Sequence, residues 1–174
     1  MIVLEGPDGA GKTTLLRDLR DRYPEVDEAP RFSTSKGGPI DRHNLRRRVD
    51  LEFESQIDAA PRLYDRHPVI SETIYGPVLR RDMLGGFDDR WLITATARLR
   101  NTALIVWCLP PLPTVLANLA AEDQMDGVHE SIHTLYWLYH AKAMQWAGNS
   151  VIYDYTRTNA LSTVLDAIDH HLEY

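Results

Sequence analysis

Residues 6–13 read Gly6-Pro7-Asp8-Gly9-Ala10-Gly11-Lys12-Thr13, a full match to the pattern G-x-x-x-x-G-K-[ST]. This stretch restricts the fold strongly, because the pattern works only between a strand and a helix. Met1-Ile2-Val3-Leu4-Glu5 precedes it as a short apolar strand, and Leu15, Leu16 and Leu19 follow at helical spacing between Lys12 and Tyr23. Glycines let the backbone turn its N–H groups inward around phosphate oxygens, and the helix N-terminus adds partial positive charge. Gly6, Gly9, Ala10, Gly11 and Thr14 are therefore expected around a bound polyphosphate. Lys12 is expected on its β- and γ-phosphates, and the Thr13 hydroxyl on Mg²⁺.

Beyond the loop the elements alternate. A weak strand is expected over Glu25–Phe32, a helix over Asp41–Ile57 and a short strand at Leu63-Tyr64-Asp65. Helical patterns follow at Thr73–Leu84 and Asp88–Arg100, separated by Gly85-Gly86. Thr102–Leu109 is the clearest buried strand, ended by Pro110, Pro111 and Pro113. The pattern then gives a helix over Pro113–Ala121, a polar break, a longer helix over His129–Ala147, a strand over Ser150–Tyr155 and a helix over Leu161–Leu172. Such alternation implies parallel strands joined by right-handed crossovers, hence an α/β sheet with both faces covered. Ligands of such sheets bind at the carboxyl ends of strands. The whole chain, 1–174, is expected to form a single domain.

The apolar fraction of 44% and charged fraction of 25% are those of an ordinary globular protein. A net charge of −6 argues against a polycation built for nucleic acid. Residues 31–48 depart from that average: Arg31, Lys36, Arg42, Arg46, Arg47 and Arg48 stand against Asp41 alone, a local +5. The lone Cys108 excludes an internal disulfide and reads as a small buried hydrophobe. The opening strand and glycine loop leave no room for a signal peptide, and no run approaches the length of a membrane span. A cytoplasmic location with no membrane partner is expected.

Two features point at an acceptor. Asp8 lies inside the phosphate loop, where a carboxylate repels polyphosphate and must serve something else. Holding a sugar hydroxyl or deprotonating an alcohol would suit it. Tyr64-Asp65-Arg66-His67-Pro68 then ends a short strand beside the first. Asp65 suits Mg²⁺ or an acceptor proton, and Arg66 suits bidentate clamping of an acceptor phosphate. Ser71, Glu72 and Tyr75 offer a wall for the acceptor, although Ser71 suits equally the N-cap of the next helix.

Taken together, Gly6 to Thr14, Asp65-Arg66, Ser71 and Tyr75 resemble the thymidylate kinases, members of the nucleoside monophosphate kinases. The resemblance implies a three-layer P-loop kinase fold around a five-stranded parallel sheet of order 2-3-1-4-5. It implies ATP with Mg²⁺ and phosphoryl transfer to a deoxynucleoside monophosphate such as dTMP. By the same resemblance Asp8 contacts the acceptor sugar, Arg66 and Arg31 the acceptor phosphate, and Ser71 and Tyr75 the base. The spacing of Ser71 and Tyr75 from Asp65 is one residue longer than in the family. Thr156-Arg157-Thr158-Asn159 corresponds to the family's adenine-side loop, with Arg157 stacking on adenine. The family often dimerises through helices, so a homodimer is compatible with this chain.

One departure is serious. The family places a catalytic basic residue in the phosphate loop or in a flexible lid. Here the loop's variable positions are Pro7, Asp8, Gly9 and Ala10, and the lid, near 122–128, begins with the acidic Glu122-Asp123-Gln124-Met125-Asp126-Gly127. Some cation must still neutralise the transferring phosphoryl group. The candidates are Arg66, the Arg46-Arg47-Arg48 cluster and Arg80-Arg81, with Arg66 preferred and the cluster as helper. The cluster leaves three readings open: a solvated helix face, an acceptor-phosphate site, or contact with DNA. The last would suit a kinase for a hydroxyl of a nucleoside or of a modified base within DNA. A nucleotide-binding module with little turnover is the third alternative. His129-Glu130-Ser131-Ile132-His133 matches H-E-x-x-H, but the nearest third ligand, His140, is eleven residues on along one helix, about 16 Å away. No zinc site is expected there.

Overall fold

The computed structural model describes residues 1–32, 41–55, 60–80, 84, 89–120 and 127–173. Five strands, β1 (Ile2–Glu5), β2 (Asp27–Glu28), β3 (Arg62–Asp65), β4 (Leu104–Cys108) and β5 (Ser150–Tyr153), form one parallel sheet of order β2-β3-β1-β4-β5. Seven helices are present among the described residues: α1 (Lys12–Arg22), α2 (Arg42–Ser55), α3 (Pro68–Val78), α4 (Arg90–Thr102), α5 (Leu112–Leu119), α6 (Val128–Met144) and α7 (Ala160–Leu172). This is the three-layer α/β arrangement and strand order that the resemblance implies.

The strands are apolar on both sides because both sides are covered. Val3, Tyr64, Ile105 and Trp107 point to a core shared with α2–α6, which contribute Leu45, Ile70, Leu99, Val115 and Leu135. Ile2, Leu4, Leu63, Val106 and Cys108 point the other way, to Leu15 and Leu19 of α1 and Val164 and Ile168 of α7. Cys108 is fully buried, as its apolar run suggests. No helix among the described residues is long and apolar enough to cross a membrane.

Several boundaries differ from the sequence reading. The helix after β3 begins at Pro68 and not at Thr73. Proline is pre-set for a first helical position, and His67 Nδ1 accepts the Val69 N–H at 3.4 Å as the cap. Ser71 is therefore not an N-cap. It lies one turn inside α3, buried, and donates its hydroxyl to His67 O at 3.3 Å. The weak second strand contracts to two residues, and α4 starts at Arg90, where Asp89 accepts the N–H groups of Trp91 and Leu92. Residues 122–126 of the expected lid, Lys36, Pro39, Arg81, Gly85, Gly86 and Asp88 lie outside the described residues.

Ile105 is fully buried in β4, with strands on both sides and a helical layer above. Ile105→Ala is expected to cost about 2–5 kcal/mol of stability, read from the urea midpoint at constant slope, and a loss under about 1 kcal/mol would mean that this layer is not closely packed.

Candidate active site

The loop between β1 and α1 is braced from several sides. A Cβ on Gly6, whose φ is +153°, would collide with Cys108 O, so the neighbouring strand β4 admits only glycine there. Gly11, at φ +82°, lies under the ring of Tyr155, which a Cβ would meet at 2.9 Å. Asn118 of α5 donates to Gly9 O and to the Tyr155 hydroxyl, both at 2.7 Å. Lys12 is almost wholly buried and closes the loop on itself, donating to Pro7 O at 2.7 Å. Thr13 and Thr14 stand exposed in the first turn of α1.

Arg66 joins this loop to the end of β3. Its backbone N–H extends the β1–β3 ladder to Leu4 O at 3.0 Å, and its φ of +70° then turns the side chain back over the loop. Nη1 donates to Gly6 O at 2.8 Å and to the Tyr139 hydroxyl at 2.7 Å. Nη2 donates to Asp8 Oδ1 at 2.6 Å and to the Tyr75 hydroxyl at 3.1 Å. The Tyr75 hydroxyl donates on to Asp8 Oδ2 at 2.7 Å, and that of Tyr139 to Glu5 Oε2 at 3.1 Å. The other Glu5 oxygen accepts the His67 N–H at 2.7 Å. The two rings flank the guanidinium, with centroids 5.0 Å and 6.0 Å from its central carbon.

The charges in this cluster are unequal in exposure. Glu5 is fully buried, and burial pushes its carboxyl up to about 7 despite the nearby Arg66 charge. Burial would raise Asp8 as well, but Arg66, Lys12 and the Tyr75 hydrogen bond overcome it and hold Asp8 down at about 2. Burial and the like charge of Arg66 push Lys12 down. Burial lowers His67 to about 3, so its imidazole is neutral; Nε2 has no partner among the described residues and the ring packs among Phe32, Phe53 and Tyr64.

The remaining candidates sit around this centre. Asp65 pairs with Arg31 at 3.1 Å, and Arg31 O accepts from Arg48 Nη2 at 2.8 Å. Ser71, Glu72 and Tyr75 share α3, and Tyr75 makes hydrogen bonds to both Asp8 and Arg66. The arginine cluster divides. Arg46 is committed to Asp89 at 2.6 Å and to the face of Trp91, and Arg48 lies over Phe32, whereas Arg47 is exposed. Arg157 is exposed and tethered to Asp154 by its Nε at 3.0 Å. Arg80 lies two residues beyond the end of α3, with φ +54°. His129, Glu130 and His133 are exposed on α6, and no group of three or more His, Cys, Asp or Glu among the described residues is arranged to hold a metal. Mg²⁺ does not need such a cage, since it takes one or two protein oxygens and completes its shell with phosphate and water. The Thr13 hydroxyl and the Asp65 carboxylate are oxygen donors of that kind.

Sequence reasoning missed Glu5, Tyr139, Asn118 and Tyr155. A carboxylate closing an apolar strand immediately before the glycine loop is a readable signal for Glu5. Tyr139 has none, because it occupies an ordinary core position on a helix rich in aromatics.

No protein-family model matches the sequence, and no curated protein matches it. Solved structures do. The YorR protein of Bacillus subtilis, in complex with phosphorylated GDP, matches with a TM-score of 0.71 at 16% identity, over 99% of this chain and 98% of that one. Deoxyadenosine kinase from M. mycoides, with the products dCMP and dCDP, matches with a TM-score of 0.61 at 11% identity, over 97% and 98%. The same enzyme with bound dATP gives 0.58 at 12% identity, over 97% and 98%. At such identities the likeness establishes the fold alone, a five-stranded parallel α/β sheet shared with YorR and with a deoxyadenosine kinase.

Glu5 and His67 are expected to shape acid stability in opposite directions. The folded state retains a proton on Glu5 that the unfolded chain loses above about 4.5, so this group lowers stability as pH rises from there to about 7. The unfolded chain holds a proton on its histidine up to about 6.5 that folded His67 has already lost, so that group raises stability from about 3 to 6.5. Between pH 4.5 and 6.5 the two cancel in the wild type. In Glu5→Gln the cancellation is lost, and stability should climb relative to wild type by up to about 1.4 kcal/mol per pH unit. Urea titrations at about pH 4.5, 5.5 and 6.5, the window between the two groups, measure the difference. Parallel curves would contradict the buried, proton-bearing Glu5.

Proposed function

We propose that the chain transfers the terminal phosphoryl group of ATP, held with Mg²⁺, to a deoxynucleoside monophosphate of the dTMP type, giving the diphosphate. One observation carries this reading. Arg66 is bonded at once to the phosphate loop, through Gly6 O, and to Asp8, so the donor loop and the Asp65–Arg66 corner form one continuous unit. A phosphate bound by residues 6–13 and an acceptor held at Arg66 would therefore be neighbours, which is what in-line transfer needs. Support for a deoxynucleoside moiety in the acceptor comes from the deoxyadenosine kinase of the same fold, which binds dATP, dCTP and dCMP, and its product dCMP bears equally on the hydroxyl reading below.

In this reading Lys12 leaves Pro7 O for the donor phosphates, and Thr13 and Asp65 hold Mg²⁺, which supplies neutralising charge on the phosphoryl oxygens. Asp8 takes the acceptor sugar. Arg66 and Arg31 exchange their carboxylate partners, Asp8 and Asp65, for the acceptor phosphate. Ser71, Glu72 and Tyr75 wall the acceptor, and Arg157 covers the donor base. No strong base is required, since an acceptor phosphate is already a nucleophile. Arg66 is also the cation that balances the developing charge, in a chain whose expected lid carries none.

A second reading has its own observation. All four terminal N–H bonds of Arg66 are taken, while Asp8 keeps an accessible carboxylate at the same spot. That suits an acceptor hydroxyl, on a nucleoside or on a modified base within DNA, with the exposed Arg47 as a backbone contact.

Coupled ADP release, assayed with every deoxy- and ribonucleoside monophosphate, separates the two readings. Turnover is expected with a deoxynucleoside monophosphate, and Lys12→Ala is expected to reduce it about 10²–10³-fold. Silence with all monophosphates but transfer to nucleosides or DNA would replace the first reading by the second.

A further inference from the structure

Arginine has only donors, and this sets the direction of every hydrogen bond around Arg66. Tyr139 accepts from Nη1 and passes its single proton onward, and the group that receives it, once Glu5 is ionised above about pH 7, is Glu5 Oε2. Tyr75 accepts from Nη2 and passes its proton to Asp8 Oδ2. The guanidinium thus has two arms of identical logic, each a tyrosine ending in a carboxylate. They differ in depth. Asp8, at the end of one arm, has 24% of its side chain exposed at the mouth of the site. Glu5 and Tyr139 are both fully buried.

The inner arm also reaches the backbone. Glu5 uses its second oxygen to hold the His67 N–H, the peptide immediately after the left-handed Arg66. One carboxylate therefore fixes both the turn that presents Arg66 and, through Tyr139, the direction of its side chain. Nothing that enters from the mouth can replace those bonds, whereas a polar acceptor can replace the outer ones.

We propose that Glu5 and Tyr139 are positioning residues for the phosphoryl transfer: they hold Arg66 in place from the interior while the Asp8–Tyr75 arm is exchanged for the acceptor. This inference rests on the function proposed above. It assigns to the inner arm an effect on turnover and to the outer arm an effect on acceptor binding. Glutamine at position 5 would keep the His67 bond but present an N–H to Tyr139. The tyrosine oxygen would then face donors from both sides, and its own proton would have no acceptor there.

Kinetics of Tyr139→Phe, Glu5→Gln, Tyr75→Phe and the control Tyr136→Phe provide the test. Tyr136 lies on the same helix and donates to Pro110 O, away from the cluster, so it reports the cost of losing a hydroxyl from α6. Tyr139→Phe and Glu5→Gln are expected to lower kcat about 10–100-fold, the effect of one lost hydrogen bond to a charged group, with the KM for ATP within twofold. Tyr75→Phe should act mainly on the acceptor KM, and Tyr136→Phe should leave kcat and both KM values unchanged. The second readout is NMR of the Arg66 guanidinium protons. Their exchange should be slow in the wild type and in Tyr136→Phe, and faster in Tyr139→Phe and Glu5→Gln. Unchanged kcat and unchanged proton exchange in Tyr139→Phe would overturn the assignment. If the wild type shows no acceptor-dependent turnover, the functional reading fails by itself, and the guanidinium spectra still decide whether the inner arm holds Arg66.

Discussion

The guanidinium of Arg66 is the point on which the site depends. It distributes four N–H bonds to the phosphate loop backbone, the loop aspartate, α3 and α6, and so ties together segments far apart in sequence. A buried cation survives in such a place only when each donor is satisfied and opposite charge is close. For the partly buried Arg66 the four terminal donors are bonded, Asp8 supplies the opposite charge directly, and the two rings flank the guanidinium.

The two carboxylates of the cluster show how depth sorts chemically identical groups. Asp8 stays ionised because Arg66 and Lys12 outweigh the cost of partial burial. Glu5, deeper and separated from Arg66 by a hydroxyl, is dominated by burial and sits close to neutrality. The acid at the mouth is thus a permanent charge that a ligand meets on entry. The acid in the interior is a hinge of hydrogen bonds whose charge is marginal.

Much of this was legible in the sequence, for physical reasons. The layering follows from alternating apolar runs and the glycine loop, because a parallel sheet must be covered on both faces, whereas the strand order came from the resemblance to the thymidylate kinases. The loop itself and the Asp65–Arg66 pair are local patterns, and a local pattern can be read without knowing what packs on it. What stayed hidden depends on distant contacts. Tyr139 is a core tyrosine by every sequence criterion, and only the approach of α6 to β1 and β3 gives its hydroxyl partners. The arginines at 46–48 look alike as a run of charge. The fold separates them, sending Arg46 to the capping Asp89 and Arg48 to Phe32 while leaving Arg47 in solvent. Ser71 suits a cap only while its helix is read from Thr73, and Pro68 starts that helix more than a turn sooner.

At φ +70°, Arg66 stands in the left-handed region of backbone space. A side chain there costs about 1–2 kcal/mol, and glycine escapes that cost. Arg66 is thus held in a conformation its own chemistry disfavours, and the surrounding bonds from Glu5, Tyr139 and Asp8 keep it there. An Arg66→Gly chain would relax at this corner but lose the cation and the four bonds it makes to Gly6 O, Tyr139, Asp8 and Tyr75. What the corner gives up in backbone ease it regains in four hydrogen bonds that join the loop, α3 and α6.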